Sequence, residues 1–354
     1  MKPSAGIVHH VAAADSGLTL AAFLRPRLDG AASWSRVQRL VRARKVMIHG
    51  NVCTDAARRL KAGDVVKVLR DSAAPPPRAE DVRIVHLDRD VVVVDKPSGI
   101  TTTRHTEELG WPARRRQVQP TLDEIVPGVI ARRQATRGGS GRRGGSGGPP
   151  PVRPVHRIDR ETSGLVVFAR TPTAERILAE QFRAHTTHRR YLAICAGRVA
   201  PGTIRTHLVR DRGDGRRGSS RDGTGKIAVT HVRPVEHFGA AATLVECRLE
   251  TGRTHQIRIH LAEIGHPVCG ERVYTPLRGG AADDLPPAPR VMLHAAELGF
   301  VHPASGLDLA FTSPLPADIR RQLERLRGTR ARTRGPAPAG DQSPDLPAAD
   351  GDAD

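Results

Sequence analysis

The sequence predicts a two-domain α+β protein, with a small helical and stranded unit preceding a larger domain. A chain of 354 residues with 38% apolar side chains can bury one sizeable core and an accessory domain, because single cores seldom exceed about 250–300 residues. A helix–helix–strand pattern fills 17–70, and strand-type runs with helical patterns fill 81–327. The proline-rich stretch Ala73–Arg78 separates them and is typical of a linker.

The first unit is predicted to contain two short helices followed by two strands. Apolar residues at helical spacing, Leu18 to Leu24, indicate the first helix, and Ser35 is expected to open a second that carries Val37, Leu40 and Val41. Val46–Ile48 and Val65–Val68 have the composition of strands. Turns are expected at 49–51 and 61–64, where glycine accompanies Asn, Asp or Lys.

In the second unit, two apolar runs predict buried strands next to polar loops. Val91–Val94 is one such run, and Pro97 and Gly99 end it in a loop. Asp159 lies in a charge-dense loop that leads directly into an apolar run ending at Ala169, which places its carboxylate at the edge of a sheet. Thr171 and Pro172 have the residue types of a helix N-cap and first helical position.

Two segments are predicted to be disordered. Arg132–Pro150 contains five arginines and seven glycines without an acidic residue, and such a composition cannot offset the entropy of ordering by apolar burial. The tail at 328–354 has arginines first and acidic residues after Asp341.

The charge of the chain favours a polyanionic partner. Its 56 Lys and Arg against 37 Asp and Glu give a formal charge of +19, which suits nucleic acid, although membrane surfaces also attract arginine. No apolar run approaches the ~20 residues of a membrane span, and the N-terminus lacks a secretory signal. We therefore expect a cytoplasmic protein without a membrane partner.

The sequence predicts neither a metal site nor a cofactor. Its four cysteines, Cys53, Cys195, Cys247 and Cys269, include no C-x-x-C pair. His255 and His260 lie in a strand-like run, where odd spacing directs them to opposite faces. The pair His185 and His188 has no accompanying metal-ligand pattern either.

The segment His156-Arg157-Ile158-Asp159-Arg160-Glu161-Thr162-Ser163-Gly164-Leu165 resembles the active-site signature H-R-L-D-x-x-T-S-G-L of RluA-type pseudouridine synthases. Ile158 replaces the leucine, a change that conserves volume. The resemblance covers nearly all of 84–325 and continues in order through 95–99, 190–197, 225–230, 251–261, 265–270, 293–303 and 314–316. It implies the pseudouridine synthase fold, an α+β domain with a large mixed, mainly antiparallel sheet and a central cleft.

The resemblance also implies residue roles. Asp159 would act on the ribose of uridine, by attack at C1′ or by promoting a glycal intermediate. Arg258, the last residue of Gly252-Arg253-Thr254-His255-Gln256-Ile257-Arg258, would pair with Asp159 through a two-donor guanidinium. Tyr191 would stack on the base, and Arg157 would occupy the gap left when uridine leaves its stack. The alternative roles are ion pairing for Asp159, a plain strand-face position for Arg258, core packing for Tyr191 and phosphate binding for Arg157.

The N-terminal unit resembles the S4 RNA-binding domain, an α/β module, through SRVQRLVRARKVMIHGN and GDVVKV. This resemblance implies a basic face that contacts phosphates; a solvated helix face is the alternative. The residues of the expected face are Arg36, Arg39, Arg42, Arg44 and Lys45.

The expected activity is isomerisation of uridine in structured RNA, with ribosomal RNA of the large subunit as the first candidate. A transfer RNA target is the alternative, because the same motifs occur in relatives of that kind. An RNA chaperone or ribosome-assembly factor without turnover is a second class, which the presence of Asp159, Arg258 and Tyr191 disfavours. A DNA-directed protein is a third, and the sequence leaves the oligomeric state open.

Overall fold

The structure is a computed structural model that describes residues 7–28, 32–48, 51–69, 72, 77–104, 110, 120–136, 149–212, 216–220, 222–274 and 286–333. Most of the predicted disordered segment (137–148), four linker residues (73–76) and 334–354 lie outside these ranges.

The N-terminal unit is a four-stranded sheet packed against two helices. The strands have the order β1-β4-β2-β3 and pair antiparallel. Leu20, Phe23 and Leu24 of the first helix are fully buried and share one core with Val37 and Val41 of the second. The elements are β1 (Ile7–His10), α1 (Leu20–Leu24), α2 (Trp34–Arg42), β2 (Val46–Ile48), β3 (Asn51–Val52) and β4 (Val65–Val68).

Both predicted helices and both predicted strands of this unit are confirmed, with three differences at their boundaries. The sheet includes β1, which lies before the expected start at Gly17. Ser33 rather than Ser35 caps α2, because its hydroxyl accepts the Arg36 N–H at 3.2 Å. Leu18 precedes α1 and is exposed.

The second unit is built on one large sheet, and the expectation of a mixed, mainly antiparallel sheet is confirmed. Its order is β11-β10-β12-β13-β9-β14-β8-β6-β5, with β15 on β14 and β7 on β8. Among the described strands, only β14 and β8 pair in parallel. Its described strands are β5 (Arg83–Leu87), β6 (Val91–Lys96), β7 (Arg153–Pro154), β8 (Ser163–Ala169), β9 (His188–Ala196), β10 (Gly202–Val209), β11 (Gly218–Ser219), β12 (Lys226–Phe238), β13 (Ala242–Leu249), β14 (Leu293–Val301) and β15 (Asp308–Thr312).

Four helices accompany this sheet in the described ranges: α3 (Leu122–Thr136), α4 (Pro172–Arg183), α5 (Gln256–Glu263) and α6 (Ala317–Thr333). The expected cap of α4 is confirmed, since the Thr171 hydroxyl accepts the Ala174 N–H. Disorder was wrongly expected for 132–136 and 328–333, which continue α3 and α6. No described helix combines the length and hydropathy needed to cross a membrane.

Strand β6 is buried on both faces, as its continuous valine run predicts. Val92 and Val94 share a core with residues of α3, whereas Val91 and Val93 share another with residues of α4. This alternation follows from the two-residue period of a strand. The central strands are therefore fixed from both sides, and the loops at their ends stand on a rigid support.

Gly164 makes the parallel pairing of β8 with β14 possible. Its φ is 112°, and a Cβ built there would lie 2.2 Å from the Ala295 carbonyl oxygen. Only glycine accepts both that backbone conformation and that approach. The strand that follows Asp159 is thereby held against β14.

We predict that Gly164→Ala lowers the free energy of unfolding by at least about 2 kcal/mol, since left-handed backbone costs about 1–2 kcal/mol and overpacking about 1–3 kcal/mol. Urea unfolding would measure the change. Gly202→Ala is the control, because Gly202 lacks a positive φ and has no atom within 4 Å of a built Cβ. Equal stability of the two variants would contradict the tight approach.

Candidate active site

A cavity of about 370 Å³ lies where the loop before β8, strand β9 and the start of α5 meet. Its volume is in the range of small-ligand sites. Four of the residues singled out in the sequence line it together: Arg157, Asp159, Tyr191 and Arg258. The expected central cleft is this cavity.

The loop that carries Asp159 is tied to the residues after β6. The Lys96 side chain is fully buried, and its ammonium donates to the carbonyls of Pro97, Ile100 and Arg160 at 3.1, 2.9 and 3.1 Å. The Gly99 N–H donates to the Arg160 carbonyl at 2.7 Å. These bonds fix the backbone one residue after Asp159.

Two hydroxyl groups complete the attachment. Thr102 Oγ1 donates to the Ile158 carbonyl at 2.7 Å, and Ser98 Oγ donates to the Glu161 carbonyl at 2.7 Å. Asp159 thus lies between anchored residues, and its carboxylate is 17% exposed. Ile158 is buried in the main core, where it fills the leucine position of the signature.

Arg258 approaches Asp159 but is clamped by another acid, Glu271. Its Nε and Nη2 donate to the two Glu271 oxygens at 2.7 and 2.9 Å, whereas only Nη1 reaches Asp159, at 3.4 Å from Oδ2. The expected two-donor pairing with Asp159 is therefore wrong. The two parallel donors of the guanidinium bind Glu271 instead, and this pairing fixes the orientation of the Arg258 side chain.

Glu271 is held in turn by backbone donors. Its side chain is 0% exposed, and its Oε1 accepts N–H groups from Arg272 and Val273 at 2.8 Å and from Tyr274 at 3.3 Å. Burial alone raises the pKa of Glu271, but Arg258 and these amides lower it to about 2. Glu271 is therefore ionised at neutral pH.

The balance of forces keeps Asp159 ionised as well. Burial alone raises its pKa, while the charges of His255 and Arg258, the Arg258 hydrogen bond and Arg157 bring the pKa below the usual value. His255 acts in this way only when protonated, and burial lowers its own pKa. At neutral pH, Arg258 is thus the main group that stabilises the ionised form of Asp159.

Asp159 Oδ1 has no hydrogen-bond partner among the described residues. His255 Nε2 lies 3.8 Å from this oxygen, which is beyond hydrogen-bonding distance. The carboxylate therefore combines a held oxygen with an open one. Such a group can act as a nucleophile or base on a molecule in the cavity.

His255 occupies a strained position at the start of α5. Its φ is 59°, in the left-handed region, and its Nδ1 lies 2.6 Å from the Tyr274 hydroxyl. The sequence did not single out Tyr274 or Glu271 as partners. No local pattern marks either residue, because their contacts with Arg258 and His255 are made across 13 and 19 residues of sequence.

Tyr191 lies on β9 and is buried, at 8% exposure. It contributes both to the main core and to the wall of the cavity. Burial raises its pKa to about 12, with Arg189 opposing and Asp159 supporting the rise. The phenol is therefore neutral at physiological pH.

The expected RNA-binding residues divide between two places. Arg157 is exposed and lines the cavity. Among the N-terminal residues, Arg36, Arg39 and Arg42 are exposed on α2, while Arg44 and Lys45 are half-buried after it. None of these five lines the cavity.

His255 and His260, one of the histidine pairs considered for metal, are arranged differently from expectation. The strand assumed for His255 and His260 is wrong, because residues 256–263 form α5. The His260 ring bonds to Thr206 and Thr230. Elsewhere in the described ranges, ligand atoms of Asp88, Asp90 and His302 lie within 4.8 Å of one another, but Asp88 already accepts backbone N–H groups and faces two histidines.

The chain is similar to known proteins. Residues 90–263 match the family model described as RNA pseudouridylate synthase. A Bacillus subtilis protein described as an uncharacterized RNA pseudouridine synthase is 35% identical over 311 residues, covering 83% of this chain and 90% of the relative. Ribosomal large subunit pseudouridine synthase D of Xanthomonas campestris is 35% identical over 284 residues, or 77% of this chain and 78% of the relative.

A solved structure resembles the fold. Human RNA pseudouridylate synthase domain containing 4 superposes with a TM-score of 0.50 at 23% identity, covering 69% of this chain and 93% of that protein. At this identity the likeness concerns the fold.

We predict that Lys96→Met destabilises the protein by about 1–3 kcal/mol or more, because three carbonyls lose a common donor inside the protein. Thermal and urea unfolding would measure the loss. Arg83→Gln is the control, since Arg83 has a side chain that is 58% exposed and pairs with Asp95 at the surface, where ion pairs contribute at most about 1 kcal/mol. A Lys96→Met protein as stable as this control would contradict the anchoring role.

Proposed function

This chain belongs to the RNA pseudouridine synthase family, and we propose that it isomerises uridine to pseudouridine in large-subunit ribosomal RNA, with Asp159 as the catalytic group. One observation carries the proposal: an ionised carboxylate in a cavity of about 370 Å³, with one oxygen held by Arg258 and the other open. The relatives named for the large ribosomal subunit support the RNA target. A cytoplasmic location follows from that target.

The reaction moves the glycosidic bond from N1 to C5 of uracil. In one route, Asp159 Oδ1 bonds to ribose C1′ while the N1–C1′ electrons leave with uracil. In the other, the carboxylate removes the C2′ proton, the C–H electrons form the C1′–C2′ double bond of a glycal, and uracil leaves with the N1–C1′ electrons. After uracil turns, C5 bonds to C1′, the Asp159 bond breaks or the C2′ proton returns, C5 loses its proton and N1 gains one. The product is an isomer, so no external reactant is consumed.

Arg258 is proposed as a positioning residue. Its contact at 3.4 Å with Asp159 Oδ2 keeps the carboxylate ionised while leaving Oδ1 for the sugar. A guanidinium that forked onto Asp159 would occupy both oxygens and reduce their nucleophilicity. Glu271 prevents that arrangement by holding the fork.

Tyr191 and Arg157 are proposed to hold the substrate. A buried, neutral phenol on the cavity wall suits stacking on uracil and exclusion of water from the sugar. Arg157, exposed at the cavity, suits insertion into the gap that the flipped nucleotide leaves, a step costing a few kcal/mol in RNA or DNA stacks.

The N-terminal unit, at about 17–70, is proposed to be an S4-like domain that grips RNA. Exposed arginines on α2 offer phosphate contacts away from the cavity. Binding and chemistry would then reside in separate parts of the chain.

We expect Asp159→Asn to abolish pseudouridine formation, since the amide has the same shape but no anionic oxygen. Nucleoside mass spectrometry of large-subunit RNA and transfer RNA incubated with the protein would measure it and identify the RNA. Asp308→Asn, at an exposed strand position, should retain full activity. Appreciable turnover by Asp159→Asn would remove Asp159 from its role, and modification of transfer RNA alone would overturn the ribosomal target.

We expect Glu271→Gln to lower kcat by about 10–100-fold with little change in KM, because small misplacement of a catalytic group has costs of this order. The amide can still accept backbone N–H groups but presents its NH₂ to Arg258. Arg258→Lys should behave similarly, since an ammonium lacks the planar fork. Glu324→Gln, exposed on α6, is the control, and wild-type kcat in Glu271→Gln would rule out the lock.

We expect simultaneous replacement of Arg36, Arg39 and Arg42 by Gln to weaken RNA binding and flatten its salt dependence. Each lost phosphate contact reduces the log–log slope by about 0.7–0.9, so three would change it by about 2. The control removes the same charge from α6, at Arg320, Arg321 and Arg325, which are exposed. Identical slopes for both triple variants would contradict a specific RNA-binding face on α2.

A further inference from the structure

Arg189 lines the same cavity as Arg157 and Arg258. It lies on β9 two residues before Tyr191, so the two side chains point to the same face of the strand. The Arg189 residue is only 8% exposed. Its position places a buried cation beside the proposed uracil contact.

Arg189 has no counter-ion among the described residues. Its Nη2 donates to the Glu250 carbonyl at 3.1 Å, and its Nε is buried without a partner. Guanidinium stays protonated in proteins, although burial lowers the pKa of Arg189. A buried charge without an opposite charge is costly, so an anionic ligand would be strongly favoured here.

The surroundings of Arg189 form a shaped recess. The Phe182 ring lies 5.8 Å from the guanidinium carbon, and a Cβ on Gly252 would lie 2.7 Å from Nη1. His156 stacks on Phe182 at 4.4 Å, and burial lowers its pKa to about 3. The recess therefore contains one cation, Arg189, beside the apolar ring of Phe182 and the neutral ring of His156. The guanidinium fits there because Gly252 has no side chain.

The charges of the whole cavity are unbalanced. Its lining includes one carboxylate, Asp159, which already contacts Arg258. Four further arginines line it: Arg157, Arg183, Arg189 and Arg253. Arg189 is buried, whereas the other three are exposed or half-buried. Arg183 pairs with Glu180, so a ligand that is neutral at its base and sugar would leave the positive charges of Arg157, Arg189 and Arg253 uncompensated.

We propose that Arg189 binds the phosphate attached to the target uridine, as the anion-recognition residue of the cavity. The proposal rests on the proposed function for the identity of the nucleoside and on the geometry of the recess for the anion. Arg189 would fix the ribose relative to Asp159 by holding the phosphate at its 5′ or 3′ oxygen. A flipped nucleotide would thus be held at its base, by Tyr191, and at its backbone, by Arg189.

The test measures nucleotide binding to the full chain carrying Asp159→Asn, which prevents turnover. Uridine, uridine 5′-monophosphate, uridine 3′-monophosphate and inorganic phosphate would be titrated and followed by NMR. We expect one monophosphate to bind at least about 10-fold tighter than uridine, as a charge-assisted hydrogen bond provides. The monophosphate that gains identifies which oxygen carries the recognised phosphate.

Three variants in the same background assign the effect. Arg189→Met should reduce the preference for the monophosphate to less than about twofold, within the reach of surface charge alone. Gly252→Ala should also reduce it with all charge retained, because the added Cβ displaces the guanidinium. Arg183→Met removes an exposed arginine of the same cavity, one that pairs with Glu180, and should keep the preference.

Several outcomes overturn the proposal. Equal affinity for uridine and both monophosphates before Arg189 is changed would do so, as would a preference that survives both Arg189→Met and Gly252→Ala. If Arg189→Met does not fold, Gly252→Ala alone decides. A further result concerns an unsubstituted chain that makes no pseudouridine while the Asp159→Asn protein still binds phosphate through Arg189. That result would refute the proposed function but support the anion site.

Discussion

The clamp of Glu271 on Arg258 is the interaction on which the site depends. Two hydrogen bonds of 2.7 and 2.9 Å fix the guanidinium, and three backbone amides fix Glu271. The remaining nitrogen can then approach Asp159 from one direction only. A buried ion pair of this kind contributes little net stability, because desolvation offsets the attraction. The pair matters because it orients the Arg258 guanidinium relative to the Asp159 carboxylate.

The fold supplies the other half of this arrangement by fixing the Asp159 backbone. Strand β6 is packed on both faces, and Lys96 at its end bonds to carbonyls on both sides of the gap between β6 and the Asp159 loop. Arg258 comes from α5 and Asp159 from the loop before β8, yet both are held by buried polar bonds. The carboxylate and its cation therefore meet without either having to reorganise when a substrate enters, which is the condition for electrostatic preorganisation.

The sequence predicted the general architecture and singled out candidate residues that share one cavity, but it did not predict the contacts that orient them. Asp159, Tyr191, Arg157 and Arg258 were found through short motifs, and all line one cavity. The run that contains His255 and His260 resembles a strand in sequence, since Ile257, Ile259 and Leu261 alternate with polar residues at a period of two. The segment is instead a helix buried on nearly all sides, and a helix of that kind has no polar face to reveal its period. Glu271 lies 13 residues from Arg258, so their pairing depends on tertiary structure.

The central claim is that Arg258, locked by Glu271, keeps the buried Asp159 carboxylate ionised. The most direct test is the pKa of Asp159, measured by ¹³C NMR on protein labelled at aspartate. The account predicts a value below the unperturbed value of about 3.9 in the native protein. In Arg258→Met, burial would then dominate and the pKa would rise above that value, so that the carboxylate accepts a proton at a higher pH. An Asp159 pKa that is the same in both proteins would contradict the claim.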